Sequence, residues 1–183
     1  MIVHMIGNAH IDPVWLWRWQ AGVDEALATF RSAADRCDEY PEFIFTRGEA
    51  WLYAQVERLD PDLFARVQEL VQRGQWHITG GQWIQPDANL PTRTGWRRQI
   101  SIGRGYFQQR FRVTPNVGYN VDTFGHPRDA PRHPGSGKVP RLRLSPSERP
   151  ASTAPRPHLS LARSGGWRGV GLSHHAWLCH AYR

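Results

Sequence analysis

The first 126 residues alternate between short apolar runs and longer segments with apolar residues at helical spacing, and this alternation constrains the fold most. The short runs have the length of strands, and they lie at 2–6, 43–46, 76–79 and 116–121. The segments between them predict helices at 24–37, 49–58, 60–74 and 94–111. Strands joined through helices are parallel neighbours in one sheet. The sequence therefore predicts a parallel α/β fold.

The residues at the start of the third predicted helix favour a helix N-terminus. Asp60 is a candidate N-cap, because its carboxylate can accept a hydrogen bond from the first turn, and Pro61 suits the first helical position. Gly74 provides the stop. On the preceding helix, Cys37 continues the apolar face, so its predicted role is core packing.

Two polar segments follow the first and the fourth predicted strand. The first carries His10 and Asp12, and the second carries Asp122. In extended backbone, residues two apart point to one face, and an imidazole with carboxylates is a common ligand set for zinc and similar ions. A metal site is one reading. A surface histidine beside a capping aspartate, with Asp122 as a turn residue, is the other.

The residues around these polar groups resemble two signatures of glycoside hydrolase family 38, the retaining class II α-mannosidases. The signatures are His10-Ile-Asp12-Pro13-Val-Trp15 and Asp122-Thr-Phe124-Gly125-His126. Further motifs similar to that family lie between them in the correct order, at 70–76, 80–91, 98–99 and 105–107. The resemblance covers residues 2 to 127.

The resemblance implies a partial parallel β/α barrel of the glycoside hydrolase and deacetylase type, with one divalent metal ion, expected to be zinc. It matches His10 and Asp12 to metal ligands, and Asp122 to a residue that is both a metal ligand and the catalytic nucleophile. Trp15 and Phe124 match aromatic residues that line the pocket for the reacting mannose. The implied substrate is a mannose-containing oligosaccharide or glycoside.

The resemblance also has departures. Gln85 occupies a position where some relatives carry Glu, which leaves the cleaved linkage open. The general acid of the family and a further metal-binding histidine have no match in this chain. We therefore expect a truncated or frameshifted mannosidase with little activity of its own.

The residues after 127 differ in composition from those before. From Pro127 onward the chain holds 8 of the 14 prolines and 7 of the 9 serines, with no Ile, Phe or Met. The chain has 13 Arg against 14 acidic residues through position 126, and 9 Arg with 1 Lys against 2 acidic residues beyond it. Such a composition cannot offset its ordering entropy. The prediction is a catalytic segment at 1–127 and a disordered, low-complexity basic tail at 128–183, with no nucleic-acid partner.

Two other functions are compatible with the ligand pattern. A metal-dependent carbohydrate deacetylase also uses histidine and aspartate ligands, but with metal-bound water as the nucleophile. A non-catalytic remnant that binds metal or sugar is the third reading. The chain shows no signal peptide and no apolar run long enough to span a bilayer, so we expect a cytoplasmic protein without a membrane partner. The oligomeric state is left open.

Overall fold

A computed structural model describes residues 3–124, 141–144, 167–172 and 176–181. The elements run in the order β1 (Val3–Ile6), α1 (Trp19–Glu39), β2 (Phe45–Arg47), α2 (Ala50–Leu59), α3 (Pro61–Gln72), β3 (Trp76–Ile78), α4 (Arg93–Phe111), β4 (Val117–Asn120), β5 (Arg141–Leu144), β6 (Trp167–Leu172) and β7 (Ala176–Ala181). None of the described helices combines the length and the apolar character that crossing a bilayer requires.

The order of strands and helices confirms the predicted α/β alternation, and contacts link β1 to β4 in chain order although the strands belong to separate sheets. β2 and β3 are parallel, and a parallel bridge between Gly7 and Phe45 joins the end of β1 to β2. The Gly80 amide donates to the Val117 carbonyl at 3.0 Å and links the end of β3 to β4. Backbone contacts therefore connect the four strands in the order β1, β2, β3 and β4.

The element bounds differ from the predicted ones mainly at α1. This helix begins at Trp19, a turn before the predicted start at residue 24. Gly22 and Val23 are buried there, so the inward face begins earlier than the regular spacing of larger apolar residues indicates. The remaining bounds agree to within about two residues, which is the usual uncertainty of helix and strand ends.

Within the predicted disordered tail, the structure describes three short strands, and the disorder of 128–183 as a whole stays a prediction. β7 pairs antiparallel with β1 and with β6, while β5 pairs parallel with β4. The physical reason is that β1 and β4 offer unpaired backbone groups at a sheet edge, and these accept another strand largely irrespective of its side chains. The described strands form three separate sheets, and a closed barrel is not formed among them.

The core lies between the helices and strands β2 and β3. Its centre is an aromatic cluster in which Phe30, Tyr53 and Trp76 are at most 1% exposed, with ring centroids of Phe30 at 4.9 Å from Tyr53 and 5.2 Å from Trp76. The Trp76 indole donates to the Tyr53 hydroxyl at 2.8 Å, and that hydroxyl donates to the Arg47 carbonyl at 3.0 Å. Cys37 belongs to the same core, as predicted, and burial raises the pKa of its thiol.

The start of α3 confirms the predicted cap and supports a stability prediction. The Asp60 carboxylate accepts from the Leu63 amide at 3.0 Å and pairs with Arg31 at 2.6 Å. The hydrogen bond from the Leu63 amide and, to a lesser extent, the pairing with Arg31 hold the pKa of Asp60 below its usual value. The contribution of Asp60 to the free energy of unfolding is therefore present at neutral pH and is lost as pH falls below about 4. We expect Asp60→Ala to lower the unfolding free energy by about 1 kcal/mol at pH 7.

Urea denaturation of the wild type, Asp60→Ala and Asp60→Asn at pH 7 and pH 3 checks this. Asparagine keeps an acceptor for the Leu63 amide but does not titrate, so Asp60→Asn should lose less stability than the wild type on acidification. Equal acid sensitivity of the wild type and Asp60→Asn would contradict the assignment.

Candidate metal centre

The three predicted metal ligands converge, although more than a hundred residues separate Asp122 from His10 and Asp12. His10 Nε2 lies 3.1 Å from an Asp12 carboxylate oxygen and 3.6 Å from one of Asp122. One ligand atom from each residue lies within 4.8 Å of the other two. A neutral imidazole with two carboxylates is a donor set that suits a divalent cation such as zinc, with coordination positions left for substrate. The residues therefore fit such an ion.

Strands β1 and β2 place the first two residues of the cluster. The Gly7 amide donates to the Ile44 carbonyl at 2.7 Å, which holds the chain against β2 beyond the end of β1. Ile11 is buried in the core, while His10 and Asp12 on either side of it are only partly buried. This alternation is what extended backbone produces, and the 3.1 Å contact between His10 and Asp12 has both polar side chains on the same side of the chain.

Asp122 reaches the cluster from the end of β4 through an unusual backbone conformation. Its φ is 55°, in the left-handed region, where aspartate is among the few non-glycine residues found with any frequency. Such conformations persist only where surrounding contacts hold them, and they concentrate at functional sites. The turn brings a carboxylate that is about half exposed to within reach of His10.

The loop after Asp12 is held close to α1. A Cβ at Gly22 would lie 2.3 Å from the Pro13 carbonyl oxygen, so only glycine permits this approach of helix to loop. The Trp17 indole donates to the Asp12 carbonyl at 3.1 Å, and its ring meets Trp15 edge-on with centroids 5.4 Å apart. These contacts orient the backbone that carries Asp12.

The two aromatic residues predicted to contact sugar are not core residues. Trp15 is 65% exposed and Phe124 is 84% exposed. Val14 and Leu16 beside Trp15 are also exposed, at 60% and 82%. Adjacent exposed apolar side chains are unusual on a protein surface unless they meet a ligand or another part of a protein. The role of Trp15 and Phe124 in sugar binding stays a prediction.

Behind the cluster lies a set of three polar residues, Arg47, Glu49 and Gln85, which we name the polar clasp. Arg47 and Glu49 form an ion pair with side chains 2% and 8% exposed. Arg47 also donates to the Ala9 carbonyl at 2.6 Å, and the Glu49 carboxylate accepts from the backbone amide of Gln85 at 3.3 Å. The Gln85 side chain donates to the Val121 carbonyl and accepts from the Val121 amide.

Glu49 adopts a second left-handed conformation, with φ 63°, at the N-terminus of α2. This conformation costs roughly 1–2 kcal/mol for a residue with a Cβ. The ion pair with Arg47 and the hydrogen bond to Gln85 hold the residue there, so the backbone at Gly48–Glu49 is fixed by side-chain contacts.

Sequence reasoning missed the polar clasp and Trp17. The available signal was charge in an apolar context, because Arg47 ends a buried strand and Glu49 begins a largely buried helix. Gln85 stood out only as a departure from a family pattern, and its bonds to Val121 could not be anticipated from spacing. His126 of the second signature lies outside the described residues.

The sequence of this chain is similar to those of known proteins. Residues 1–134 match the family model described as the glycosyl hydrolases family 38 N-terminal domain. Alpha-mannosidase G of Dictyostelium discoideum is 33% identical over 136 residues, which are 73% of this chain and 12% of that protein. Alpha-mannosidase 2C1 of Homo sapiens is 33% identical over 130 residues, 71% of this chain and 12% of that protein. The chain thus spans about an eighth of the length of these relatives.

Solved structures share the fold. An alpha-mannosidase from Enterococcus faecalis superposes with a TM-score of 0.68 at 22% identity, over 76% of this chain and 16% of that one. A 4-alpha-glucanotransferase from Thermococcus litoralis gives a TM-score of 0.55 at 18% identity, over 72% of this chain and 20% of that one. At these identities the likeness concerns the fold alone.

Proposed function

The chain belongs to glycosyl hydrolase family 38, and from that membership we propose that residues 1–127 form the segment of a retaining α-mannosidase that holds one divalent metal ion, most simply zinc, and carries the nucleophile. The observation that supports this proposal is the convergence of His10, Asp12 and Asp122 within 4.8 Å. Its substrate class is glycosides with a terminal α-mannose, as the names of its relatives suggest.

In this proposal each residue of the cluster has a chemical role. A bound cation would supply positive charge beside the Asp122 carboxylate and coordinate hydroxyls of the sugar. Asp122 attacks the anomeric carbon, the bond from that carbon to the leaving oxygen breaks, and a glycosyl ester forms on Asp122. His10 and Asp12 fix the orientation of the site.

The reaction needs a second carboxylic acid about 5 Å from the nucleophile, to protonate the leaving oxygen and later to activate water. The family resemblance matches no residue of this chain to that acid. We therefore propose that this chain contributes the metal ligands and the nucleophile, and that it does not by itself turn over mannosides at a measurable rate.

A leaving group that needs no protonation tests the nucleophile separately from the acid. The zinc-loaded chain is incubated with a fluorinated α-mannosyl fluoride, from which fluoride departs with the bonding electrons as Asp122 bonds to the anomeric carbon. Peptide mass spectrometry should find the sugar on Asp122 in the wild type and not in Asp122→Asn. A label that is equally strong in Asp122→Asn would contradict the proposal.

Binding of unreactive sugars provides the second arm of the test. The cis hydroxyls at C2 and C3 of mannose can both face one cation, whereas those of glucose are trans. Saturation-transfer NMR should therefore detect methyl α-mannoside but not methyl α-glucoside on the zinc-loaded chain, and a chelator should abolish the signal. Equal binding of both sugars would overturn the proposed specificity. A deacetylase would bind neither as substrate and would form no sugar ester on Asp122.

The exposed Trp15 ring supports a prediction on affinity. An aromatic face offers a rigid platform to the apolar side of a sugar ring. We expect Trp15→Ala to weaken methyl α-mannoside binding by about 1 kcal/mol, roughly fivefold in Kd. Trp19→Ala is the matched control, because Trp19 is also partly exposed, at 44%, but belongs to α1. NMR titration of both variants measures the effect, and an equal loss in the two would exclude a specific role for Trp15.

A further inference from the structure

The polar clasp connects the two chain segments that bear the metal-binding cluster. At one end Arg47 donates to the Ala9 carbonyl, and at the other Gln85 forms hydrogen bonds with both backbone groups of Val121. Glu49 joins these ends, because it pairs with Arg47 and accepts from the Gln85 backbone amide. The contacts thus form a continuous path from one segment to the other.

The positions that the clasp holds are those directly before the ligands. Ala9 precedes His10, and Val121 precedes Asp122. β1 and β4 are the outer members of the β1–β4 series, and in the described part of the chain the backbone links run through β2 and β3. A fixed distance between His10 and Asp122 therefore requires a connection across the ends of β2 and β3, which is where Arg47, Glu49 and Gln85 lie.

The Gln85 side chain both donates a hydrogen bond to Val121 and accepts one from it. An amide side chain carries an NH2 donor group and a carbonyl acceptor, and Gln85 uses both groups on the same backbone residue, as in a strand pairing. Val121 is buried at 8% exposure, so its amide and carbonyl have little access to water as an alternative partner. The next residue takes up the left-handed conformation at φ 55°. Gln85 is therefore placed to fix the backbone from which Asp122 turns toward His10.

We infer that Gln85 is a positioning residue for the metal-binding cluster and acts through Val121 to set the separation of Asp122 from His10. The inference rests on the proposed function, since it assigns the cluster to a metal ion. Groups that orient metal ligands from outside the coordination shell typically change metal affinity by about 10- to 100-fold when removed.

The test compares Gln85→Met with Gln75→Met in the full chain. Methionine keeps the length of the side chain and removes its hydrogen bonds. Gln75 is a matched control, because its side chain also bonds to backbone carbonyls, of Cys37 at 2.7 Å and Tyr40 at 3.3 Å, but it lies at the opposite end of β3 from the cluster. Near-UV circular dichroism verifies that both variants retain tertiary packing.

Two readouts separate positioning from general stability. Hydrogen exchange measured on the peptide 117–124 should accelerate in Gln85→Met, because the Val121 amide loses its acceptor, and should not change in Gln75→Met. Zinc titration by calorimetry should give a Kd raised at least about 10-fold in Gln85→Met and unchanged in Gln75→Met.

The outcomes distinguish this inference from the proposed function. If zinc binds the wild type at a site that His10→Ala removes, and Gln85→Met binds it equally well, the positioning role is wrong while the proposed function stands. Unchanged exchange in the peptide 117–124 of Gln85→Met also overturns it. If the wild type shows no zinc site that depends on His10, the proposed function fails, and this inference fails with it.

Discussion

Replacing His10 with alanine is expected to raise the Kd for zinc by more than about 100-fold, beyond the range that residues outside the coordination shell contribute. His10 supplies the nitrogen ligand of the cluster, and its Nε2 is the atom that faces both carboxylates, at 3.1 Å and 3.6 Å. Two carboxylates without the imidazole would repel each other and form a weaker site for zinc. Asp12→Ala should produce a loss of the same order.

Calorimetric titration of the full chain measures this effect, with His77→Ala as the matched control. His77 is an exposed histidine of β3 and is not part of the cluster, so its removal should leave the Kd unchanged. The control is necessary because the chain contains nine histidines, any of which could bind zinc weakly. Retention of the wild-type Kd in His10→Ala would show that the ion binds elsewhere, and would remove the support for the proposed function.

The second large effect concerns stability. Arg47→Met is expected to lower the unfolding free energy by about 3–5 kcal/mol, because it leaves the Glu49 carboxylate buried without its partner. The Arg47 side chain is 2% exposed and that of Glu49 is 8% exposed, so water cannot replace the lost ion pair. A net stability of 5–15 kcal/mol is typical of a domain. The substitution should therefore remove a large fraction of it.

Two variants identify the origin of that loss by urea denaturation. Arg47→Met combined with Glu49→Leu removes both charges and should be clearly less destabilised than Arg47→Met alone. Arg36→Met breaks the exposed ion pair with Glu39, which has its closest atoms at 2.6 Å and both side chains about half exposed. It should cost less than about 1 kcal/mol. A loss in Arg47→Met no greater than that in Arg36→Met would refute the buried-pair interpretation.

The helices could be predicted from the sequence most accurately where a boundary has a local chemical cause. Asp60 and Pro61 define the start of α3 through a hydrogen bond and a fixed φ, and the structure has both where they are expected. Local periodicity was less informative at α1, where small residues such as Gly22 are buried without adding to the apolar pattern. The strand pairings described within the tail use backbone groups at sheet edges, which composition does not report, and the predicted disorder of the tail stays a prediction.

The candidate site likewise contains residues that the sequence predicts, the ligands, and residues that it does not predict, the supporting ones. His10, Asp12 and Asp122 could be selected from the sequence, because metal chemistry limits the residue types and strand ends limit their places. The path from Arg47 through Glu49 to Gln85 could not, since charge in an apolar context does not tell which residues far apart in the chain become hydrogen-bond partners. The positive φ of Asp122 and Glu49 is likewise a consequence of contacts made across the fold.

The sequence by itself determined the α/β alternation, the membership of a glycosidase family and the three residues that could hold a metal ion. Only the tertiary structure decided that their ligand atoms lie within 4.8 Å of one another and which buried groups hold them there. The physical reason is that residue identity and spacing encode local preference and chemical type. The distance between two strand ends depends on hydrogen bonds and packing between segments far apart in the chain, and these exist only once it has folded.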